Sequence, residues 1–547
     1  MLILEANNIK KYYRDRLILD FDNLKIYKED RIGIVGLNGA GKTTLMNILT
    51  KRISPDEGFV KLYGTHSYIP QLDNLDDDYT DLKVASEFDV DYDYSNKLSG
   101  GEKTRLKIVK SLSKNSSILF ADEPTCNLDM KGIKMIEEKL KDLDIPIVLI
   151  SHDRSLLDNI CNKIIEVEDG KIKEYKGNYS DYKEQKEMEL KRKKDEYENY
   201  IREKKKLESA IQDKFEKTIS MKKTPSRMGN SEARLHKRST TQIQGKLHGA
   251  RKALETRLEK LDKKERVIEP DKVKIDIPSI GELHSKVVIR GKELSKSFGD
   301  KVLFKNGDIQ IYNGDKVALI GDNGTGKTTL IRMLLDGHDN IKVSKKAKIG
   351  YFSQNLNVLD DNKTVLENVM EDTIHSQTFV RTILGRLLFK NDDVNKMVSI
   401  LSGGERVKTA IAKIFLQDIN IIILDEPTNF LDTDSIEAIE DVLNDYEGTL
   451  FFISHDRSFI EKIAHKVIVL ENKRLIEFNG TYKEYIESKN KNDEDQDIKE
   501  QLLVLKNRLS EITGRLSMPS VDDDVEELDR EFKEVAREIN LLKAKNK

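Results

Sequence analysis

The pentapeptide Leu98-Ser-Gly-Gly-Glu102 occurs a second time as Leu401-Ser-Gly-Gly-Glu405. Each copy lies between a Gly-rich loop that ends in Gly-Lys-Thr and a tetrapeptide Asp-Glu-Pro-Thr. Three motifs repeated in the same order indicate an internal duplication, and a duplication of this kind decides the architecture of a chain. We therefore predict an α/β protein with two equivalent nucleotide-binding units.

The two Gly-rich loops have the composition of phosphate-binding loops. Each follows a predicted strand, Arg31–Val35 in the first copy and Lys316–Ile320 in the second, and each precedes a predicted helix. Glycines let backbone N–H groups close around phosphates, whose charge the helix N-terminus favours. The lysines are expected to reach the β- and γ-phosphates. The expected nucleotide-binding residues are Gly36, Leu37, Asn38, Gly39, Ala40, Gly41, Lys42, Thr43 and Thr44 in the first loop, and Gly321, Asp322, Asn323, Gly324, Thr325, Gly326, Lys327, Thr328 and Thr329 in the second.

The Asp-Glu-Pro-Thr copies supply the predicted metal-binding and catalytic groups. A buried strand that ends in two carboxylates can divide their roles, since the aspartate supports Mg²⁺ and the glutamate polarises the attacking water. A histidine in the repeated Ile-Ser-His-Asp-Arg is expected to contact the γ-phosphate, and a glutamine in each unit to sense the γ-phosphate and the metal. The predicted catalytic residues are Glu123, Glu426, His152 and His455, and the predicted metal-binding residues are Thr43, Gln71, Asp122, Thr328, Gln354 and Asp425.

Two aromatic residues have matching positions upstream of the loops. Tyr13 and Phe298 each precede the lysine of their own loop by 29 residues. We expect both rings to stack on the adenine base of a bound nucleotide. The alternative interpretation is that they are ordinary aromatic residues at the ends of strands.

The intervals between matching residues reveal a length difference between the units. From Gln71 to Gln354 the interval is 283 residues, whereas from Ser99 to Ser402 it is 303. Before its Leu-Ser-Gly-Gly-Glu signature the first unit has therefore lost about 20 residues, or the second has gained them. The second unit has room for two helices within Lys363–Met397. We predict domains at 1–182 and 284–491, a helical linker at 183–283 and a helical extension at 492–547.

The predicted linker is a basic helical hairpin. Residues 186–266 carry 25 Lys and Arg against 14 Asp and Glu, although the whole chain has a net charge of −3. Apolar residues at helical spacing predict two antiparallel helices. Turn and breaker residues at Thr224–Asn230 and Ser239–Gly249 are predicted to interrupt the helical structure between them. Concentrated positive charge favours a polyanionic partner over a merely solvated hairpin. The basic residues predicted to contact this polyanion are Arg227, Arg234, Lys237, Arg238 and Lys246.

Composition restricts the location of the chain. No apolar run approaches the roughly 20 residues that a membrane helix needs, and no basic segment precedes an apolar one at the N-terminus, so we expect no signal peptide and no membrane contact. The two cysteines, Cys126 and Cys161, provide no disulfide framework. We expect a cytoplasmic protein. Leu502, Leu505, Leu509 and Ile512 are predicted to face Leu528, Phe532, Val535 and Ile539 in a C-terminal hairpin.

Both units resemble the ATP-binding cassette family, and the tandem arrangement with a long linker resembles its ABC-F subgroup. The resemblance implies that two ATP molecules, with Mg²⁺, are held head-to-tail between the cassettes, and that each site is completed by the signature of the opposite cassette. The residues that would complete the sites are Ser99, Gly100, Gly101, Ser402, Gly403 and Gly404. Two residues depart from the family pattern, Ala121 before the first Asp-Glu pair and Cys126 where the second copy has Asn429.

The resemblance also implies a ribosomal function. ABC-F proteins bind the exit-tRNA site of the ribosome, and Pro225–His236 looks like the antibiotic-resistance branch. We therefore expect a monomeric ATP hydrolase that binds the 70S ribosome through 23S rRNA and the peptidyl-site tRNA, with the five basic linker residues as its RNA-binding residues. We expect it to protect translation from lincosamides, pleuromutilins or streptogramin A. The alternatives are a translation factor that relieves stalled ribosomes, the ATPase subunit of a membrane transporter, and a DNA-maintenance ATPase. The shortened first cassette argues against the transporter, and two intact cassettes argue against the DNA-maintenance class.

Overall fold

The structure is a computed structural model, which describes residues 1–71, 100–114, 116–220, 230–264, 285–353, 356, 358–390, 392–491, 505, 508–509, 512–513 and 529–538. Within these ranges both cassettes have the predicted α/β fold. Each combines a six-stranded sheet, parallel except for its last strand, with a three-stranded antiparallel sheet.

Cassette one is built from nine strands and four helices within the described residues. The antiparallel sheet has the order β2-β1-β4 and the larger sheet the order β5-β6-β7-β3-β8-β9. The strands are β1 Leu2–Tyr13, β2 Arg16–Tyr27, β3 Arg31–Val35, β4 Glu57–Leu62, β5 His66–Ile69, β6 Ile118–Asp122, β7 Ile147–Ile150, β8 Lys163–Glu168 and β9 Lys171–Lys176. The helices are α1 Lys42–Leu49, α2 Gly100–Leu112, α3 Met130–Asp142 and α4 Arg154–Ile160.

The linker follows as two long helices, α5 Tyr179–Ser220 and α6 Asn230–Glu259. They are antiparallel, since Glu203 of α5 binds Arg257 of α6 at 3.0 Å and Arg251 lies over the Phe215 ring. The predicted pair of facing helices is thus confirmed. The proposed boundary at residue 182 falls within the first turn of α5.

One of the two predicted interruptions in the linker is wrong. Gly245 and Gly249 lie inside α6, which runs unbroken through Ser239–Gly249. A Cβ at either glycine would meet no atom within 4 Å, so these glycines answer no packing need. Each costs the helix only about 1 kcal/mol relative to alanine, which contacts with α5 can offset. The other predicted interruption, Thr224–Asn230, lies outside the described residues except for Asn230, where α6 begins.

Cassette two repeats the design with a larger helical segment. The sheet orders are β11-β10-β13 and β14-β15-β16-β12-β17-β18. The strands are β10 Val287–Phe298, β11 Lys301–Tyr312, β12 Lys316–Gly321, β13 Ile341–Val343, β14 Ile349–Phe352, β15 Ile421–Asp425, β16 Thr449–Ile453, β17 Lys466–Glu471 and β18 Arg474–Phe478. The helices are α7 Lys327–Leu335, α8 Val365–Met370, α9 Gln377–Arg386, α10 Gly403–Phe415, α11 Thr433–Asn444 and α12 Arg457–Ile463, with 3₁₀ turns at Asp393–Asn395 and Val398–Ile400.

Helices α8 and α9 confirm the two helices predicted within Lys363–Met397. The corresponding segment of cassette one, 72–97, lies outside the described residues. In the C-terminal extension, Ile512 and Val535 are buried together and Leu505, Leu509 and Phe532 pack against them, as predicted. Leu502, Leu528 and Ile539 lie outside the described part of the chain. None of the helices that the structure describes is long and apolar enough to cross a membrane.

The fold places the phosphate loops and the acidic motifs at one edge of each large sheet. Strands β3 and β6 of cassette one are parallel members of one sheet, each bonded to β7, so their carboxyl ends point the same way. The burial of both sheet faces makes these strands almost entirely apolar. Polar residues therefore begin where the strands end, and β12 and β15 repeat this arrangement in cassette two.

Candidate active sites

Each phosphate loop joins the end of a buried strand to the start of a helix. The Lys42 Nζ donates to the carbonyl oxygens of Gly36 and Leu37 at 2.7 and 3.1 Å. Gly36 has a φ of +145°, and a Cβ there would lie 2.4 Å from the Val167 carbonyl oxygen. Only glycine lets the loop pass this close to β8. Lys327 repeats the contacts in the second loop, donating to Gly321 and Asp322 at 2.8 and 3.0 Å.

The first phosphate loop contacts cassette two. The backbone N–H of Asn38 donates to Oδ2 of Asp432 at 2.8 Å, and the Asn38 side chain donates to the Phe430 carbonyl oxygen at 3.0 Å. A Cβ on Gly404 would lie 2.9 Å from that carbonyl and 3.2 Å from Nδ2 of Asn38. The second signature, capped at α10 by Ser402, therefore faces the first phosphate loop.

The second phosphate loop makes the mirrored contacts with cassette one. Asn323 donates through its backbone N–H to Oδ2 of Asp129 at 3.1 Å and through its side chain to the Asn127 carbonyl oxygen at 3.0 Å. A Cβ on Gly101 would lie 3.0 Å from the same carbonyl. The cassettes are thus arranged head-to-tail. Gly100 begins α2, whereas Ser99 lies outside the described residues.

Four residues of this arrangement were missed in the sequence. Asp129 and Asp432 accept from the opposite loop, and the carbonyls of Asn127 and Phe430 accept from its asparagine. Asn127 and Phe430 have positive φ values of 63° and 67°. A signal was present, because the pairs Asn127/Phe430 and Asp129/Asp432 share the 303-residue interval of the signatures.

The predicted metal-binding residues offer oxygen atoms. Burial raises the pKa of Asp122 despite a hydrogen bond with the Thr43 hydroxyl. Oδ2 of Asp122 is buried and has no hydrogen-bond partner among the described residues. In cassette two the Thr328 hydroxyl lies 3.5 Å from Oδ1 of Asp425. A hydroxyl with a carboxylate suits Mg²⁺, which prefers hard oxygen ligands and keeps several from water and phosphate. The described residues contain no cluster of three His, Cys, Asp or Glu that could bind a metal without such help.

The predicted catalytic pairs are in contact. His152 Nε2 lies 3.4 Å from Oε1 of Glu123, and His455 Nε2 lies 3.3 Å from Oε1 of Glu426. Both glutamates adopt positive φ values, 50° and 54°. Such strain at a non-glycine residue persists where the surrounding structure imposes it, and here the glutamate N–H is bonded to the neighbouring strand β7 or β16.

Burial controls the charge of these pairs. Burial raises the pKa of Glu123 to about 8, and the neighbouring Asp122 acts in the same direction. Burial raises the pKa of Glu426 to about 7, against the opposing effect of Lys327. Burial and the nearby loop lysine lower the pKa of His152 to about 4 and that of His455 to about 3. The histidines are therefore neutral near pH 7, and each glutamate titrates in the range suited to a general base.

The predicted residues of cassette two line a common cavity of about 360 Å³. It is lined by Phe298, Asp425, Glu426 and His455, together with residues of the phosphate loop. Phe298 is 59% exposed and Tyr13 is 48% exposed, and each lies at the turn between two paired strands. The Lys296 Nζ lies 5.4 Å from the centre of the Phe298 ring. Exposed aromatic rings at this point are suited to stack on a base.

The remaining predicted residues are less completely described. The Gln71 carbonyl oxygen accepts from Lys107 Nζ at 3.2 Å, and Gln354 lies outside the described residues. Arg234, Lys237 and Arg238 lie on α6, Lys246 is exposed on the same helix, and Arg227 lies outside the described residues.

Two arginines hold the cassettes together beside the sites. Arg154 makes a bidentate bond with Glu440 of cassette two, and both residues are buried. Arg457 makes the mirrored contact with Glu137 at 3.3 Å. The hydroxyls of Ser155 and Ser458 meet at 3.1 Å. The contacts join the segment after each catalytic histidine to the opposite cassette.

These sites define a tandem ATP-binding cassette ATPase, in which each cassette completes the nucleotide site of the other. Family profiles described as ABC transporter match residues 19–84, 73–126 and 304–429, and a further profile of that description matches 165–277. The chain belongs to the ABC-F family of these ATPases, binds ATP and hydrolyses it.

Individual relatives cover nearly the whole chain. The Ribosome protection protein VmlR of Bacillus subtilis is 31% identical over 100% of this chain and 99% of its own length. The Erythromycin resistance ATP-binding protein MsrA of Staphylococcus epidermidis is 33% identical, covering 85% of this chain and 96% of its own. A solved structure of an archaeal ribosome recycling factor, aABCE1, in complex with stalk protein aP1, has a TM-score of 0.56 at 19% identity, covering 84% and 87% of the two chains. That similarity concerns the fold alone.

Proposed function

We propose that this protein is a ribosome-bound ATPase whose linker protects translation from antibiotics bound near the peptidyl-transferase centre. The contact between Asn38 and Asp432 is the observation that carries the proposal. Because each nucleotide site lies between the cassettes, ATP stabilises their association and hydrolysis weakens it. Association of the cassettes then decides whether the shape of the protein fits its partner.

The proposed chemistry assigns one role to each catalytic group. Glu123 and Glu426 orient the attacking water and accept its proton, and the neutral His152 and His455 donate a hydrogen bond towards the γ-phosphate. Tyr13 and Phe298 hold adenine. Thr43 with Asp122, and Thr328 with Asp425, would hold Mg²⁺, which would neutralise charge that develops on the phosphates. The phosphate loops and the opposite signatures position the γ-phosphate and exclude bulk solvent from it.

The ribosomal role is supported by the relatives and by the charge of the linker. VmlR is named a ribosome protection protein and MsrA an erythromycin resistance protein. Residues 214–252, around the junction of α5 and α6, carry 11 basic and 2 acidic residues. We propose that this part of the linker contacts 23S rRNA and the peptidyl-site tRNA. We also propose the domain boundaries given above and a monomeric chain. Phosphate contacts of this kind give binding that falls steeply with salt.

The test combines ribosome pelleting with drug susceptibility. The variant Glu123→Gln/Glu426→Gln should bind ATP without hydrolysing it, and it should accumulate on 70S particles in the presence of ATP and Mg²⁺. Glu138→Gln/Glu461→Gln makes the same chemical change at exposed positions and should not accumulate. Absence of the first variant from the pellet would contradict a ribosomal function.

Drug protection is tested separately by expression of the parent protein in a sensitive strain. The inhibitory concentration of a lincosamide, a pleuromutilin or streptogramin A should rise. If the double variant binds ribosomes but no drug concentration shifts, the protein acts instead as a translation factor for stalled ribosomes.

A further inference from the structure

Helix α11 of cassette two contacts both the first nucleotide site and the linker. At its N-terminus Asp432 binds the phosphate-loop residue Asn38. Near its C-terminus Glu440 binds Arg154, two residues after the catalytic His152. Between them, Asp434 and Glu437 face the beginning of α5, which is the base of the linker.

Lys183 of α5 makes that third contact. Its Nζ donates to Oδ1 of Asp434 and to Oε2 of Glu437, each at 2.9 Å. The neighbouring Tyr179 hydroxyl donates to Glu437 at 3.4 Å. The Lys183 side chain is only 22% exposed and the two carboxylates about a third exposed. Two ion pairs that are shielded from water are stronger than pairs on an open surface.

The base of α5 is also fixed to cassette one. The buried Glu166 of β8 accepts hydrogen bonds from the hydroxyls of Tyr175 and Tyr182 at 3.1 and 2.8 Å, and from Lys186. Ser180 bonds to Asp158 of α4 through its N–H and its hydroxyl. A helix held this firmly moves with cassette one, so its distance to α11 depends on how the two cassettes approach each other.

The matching residues on the other side of the cassette interface, all of which the structure describes, do not make this contact. Lys131 and Lys134 of α3 occupy the positions that match Asp434 and Glu437, and Ile486 matches Lys183. Ile486 packs against the core of cassette two, and the Tyr482 hydroxyl meets the Met130 sulfur at 3.4 Å. Within the described ranges, this ionic contact is therefore found where the long linker leaves cassette one and not at the matching positions.

We propose that Lys183 is a positioning residue that transmits closure of the first ATP site to the base of the linker. Asp432 and Asp434 lie two residues apart on one rigid turn, so α11 brings them up together. When Asp432 reaches the phosphate loop, Asp434 and Glu437 reach Lys183 and restrain α5. When the site opens, both contacts separate and the linker base is held by cassette one alone. The inference rests on ATP-driven closure, and it does not depend on which macromolecule the linker contacts.

Hydrogen–deuterium exchange on the full-length Glu123→Gln/Glu426→Gln protein tests the inference. Peptides covering 36–44 and 402–412 report closure, and peptides covering 179–190 report the linker base. ATP with Mg²⁺ should slow exchange in both groups, at the linker base by about fivefold. Adding Lys183→Glu should abolish the slowing at 179–190 and leave it at 36–44 and 402–412.

Two further variants make the result specific. Lys183→Glu combined with Asp434→Lys and Glu437→Lys should restore the slowing at 179–190. Lys173→Ala is the control, because it removes the ion pair between Lys173 of cassette one and Glu189 of α5 without affecting cassette two. It should leave the ATP-dependent slowing of exchange unchanged. Unaltered slowing at 179–190 in Lys183→Glu would overturn the role of Lys183. Failure of ATP to slow exchange at 36–44 and 402–412 would instead contradict the proposed function.

Discussion

The Asp432 carboxylate binds two N–H groups on different cassettes. Oδ2 accepts from the backbone of Asn38 at 2.8 Å, and Oδ1 accepts from the backbone of Ser435 at 2.8 Å, which caps α11. Although burial acts to raise it, these hydrogen bonds lower the pKa of Asp432, so the carboxylate is charged near pH 7. One side chain thus serves the folding of its own helix and the completion of the opposite nucleotide site.

Asp432→Ala should therefore reduce both stability and ATP turnover. Loss of the helix cap costs about 1 kcal/mol, which thermal unfolding measures. Loss of the contact with Asn38 should lower kcat at least tenfold, because the first site no longer closes. Ser376→Ala removes the cap of α9, which lies outside both sites, and should give the same stability loss with normal turnover. Equal turnover in the two variants would show that the cross-cassette bond is dispensable.

Glu123 should make the nucleotide-free protein less stable as the pH rises. Its pKa is about 8 in the folded chain and near 4.5 in the unfolded one, so the folded state binds the proton more tightly between these values. The stability linked to this proton is complete below pH 4.5 and is lost as the pH rises through 8. Glu123→Gln should raise the free energy of unfolding at pH 8 by roughly 4 kcal/mol relative to the parent, and by less than about 1 kcal/mol at pH 5.

Glu138→Gln, at an exposed position, is the matched control, and its free energy of unfolding should follow that of the parent at both pH values. The same titration should appear in catalysis, because only the deprotonated glutamate accepts a proton from water. Turnover of the parent should increase with pH up to about 8. A flat profile from pH 6 to pH 9 in both measurements would refute the buried protonated glutamate.

Removal of the aromatic ring should weaken ATP binding more than catalysis. A stacking contact with adenine is the same in the ground state and the transition state, so its loss raises KM and leaves kcat nearly unchanged. Phe298→Ala should raise KM by about tenfold, since base stacking contributes about 1–3 kcal/mol. Tyr13→Ala should behave alike, and Phe298→Tyr should resemble the parent. Tyr312→Ala, another exposed aromatic residue of cassette two, is the control and should leave KM unchanged.

Neutralising the linker charges should separate ribosome binding from ATP hydrolysis. Replacement of the five predicted RNA-binding residues by glutamine should leave basal turnover intact. It should reduce the slope of log affinity against log salt by about one unit per lost phosphate contact. A control with five glutamines on the cassettes should change the slope less; its positions are Lys28, Lys131, Lys286, Lys342 and Lys483. Equal slopes for both variants would show that the linker charges contribute no more to ribosome binding than charges on the cassettes.

Local motifs were predictable because neighbouring residues create them. The loop from Gly36 to Thr43, the paired carboxylates and the histidines depend on short intervals and on the strands before them, and both copies agree. The contact between Asn38 and Asp432 spans 394 positions, and no periodicity or propensity encodes such a pairing. The family resemblance suggested the head-to-tail arrangement, and the carbonyl acceptors Asn127 and Phe430 emerged only from the structure. Breaker residues misled at Gly245 because helix packing outweighs a small local preference.

The length of α5 multiplies any small motion at its origin. Its 42 residues form one continuous helix, which corresponds to about 63 Å at 1.5 Å per residue. A tilt of about 10° at Tyr179 would displace the far end by roughly 10 Å, about the width of a helix. Side-chain shifts of a few ångströms between the cassettes can thus displace the far end of α5 by a much larger distance.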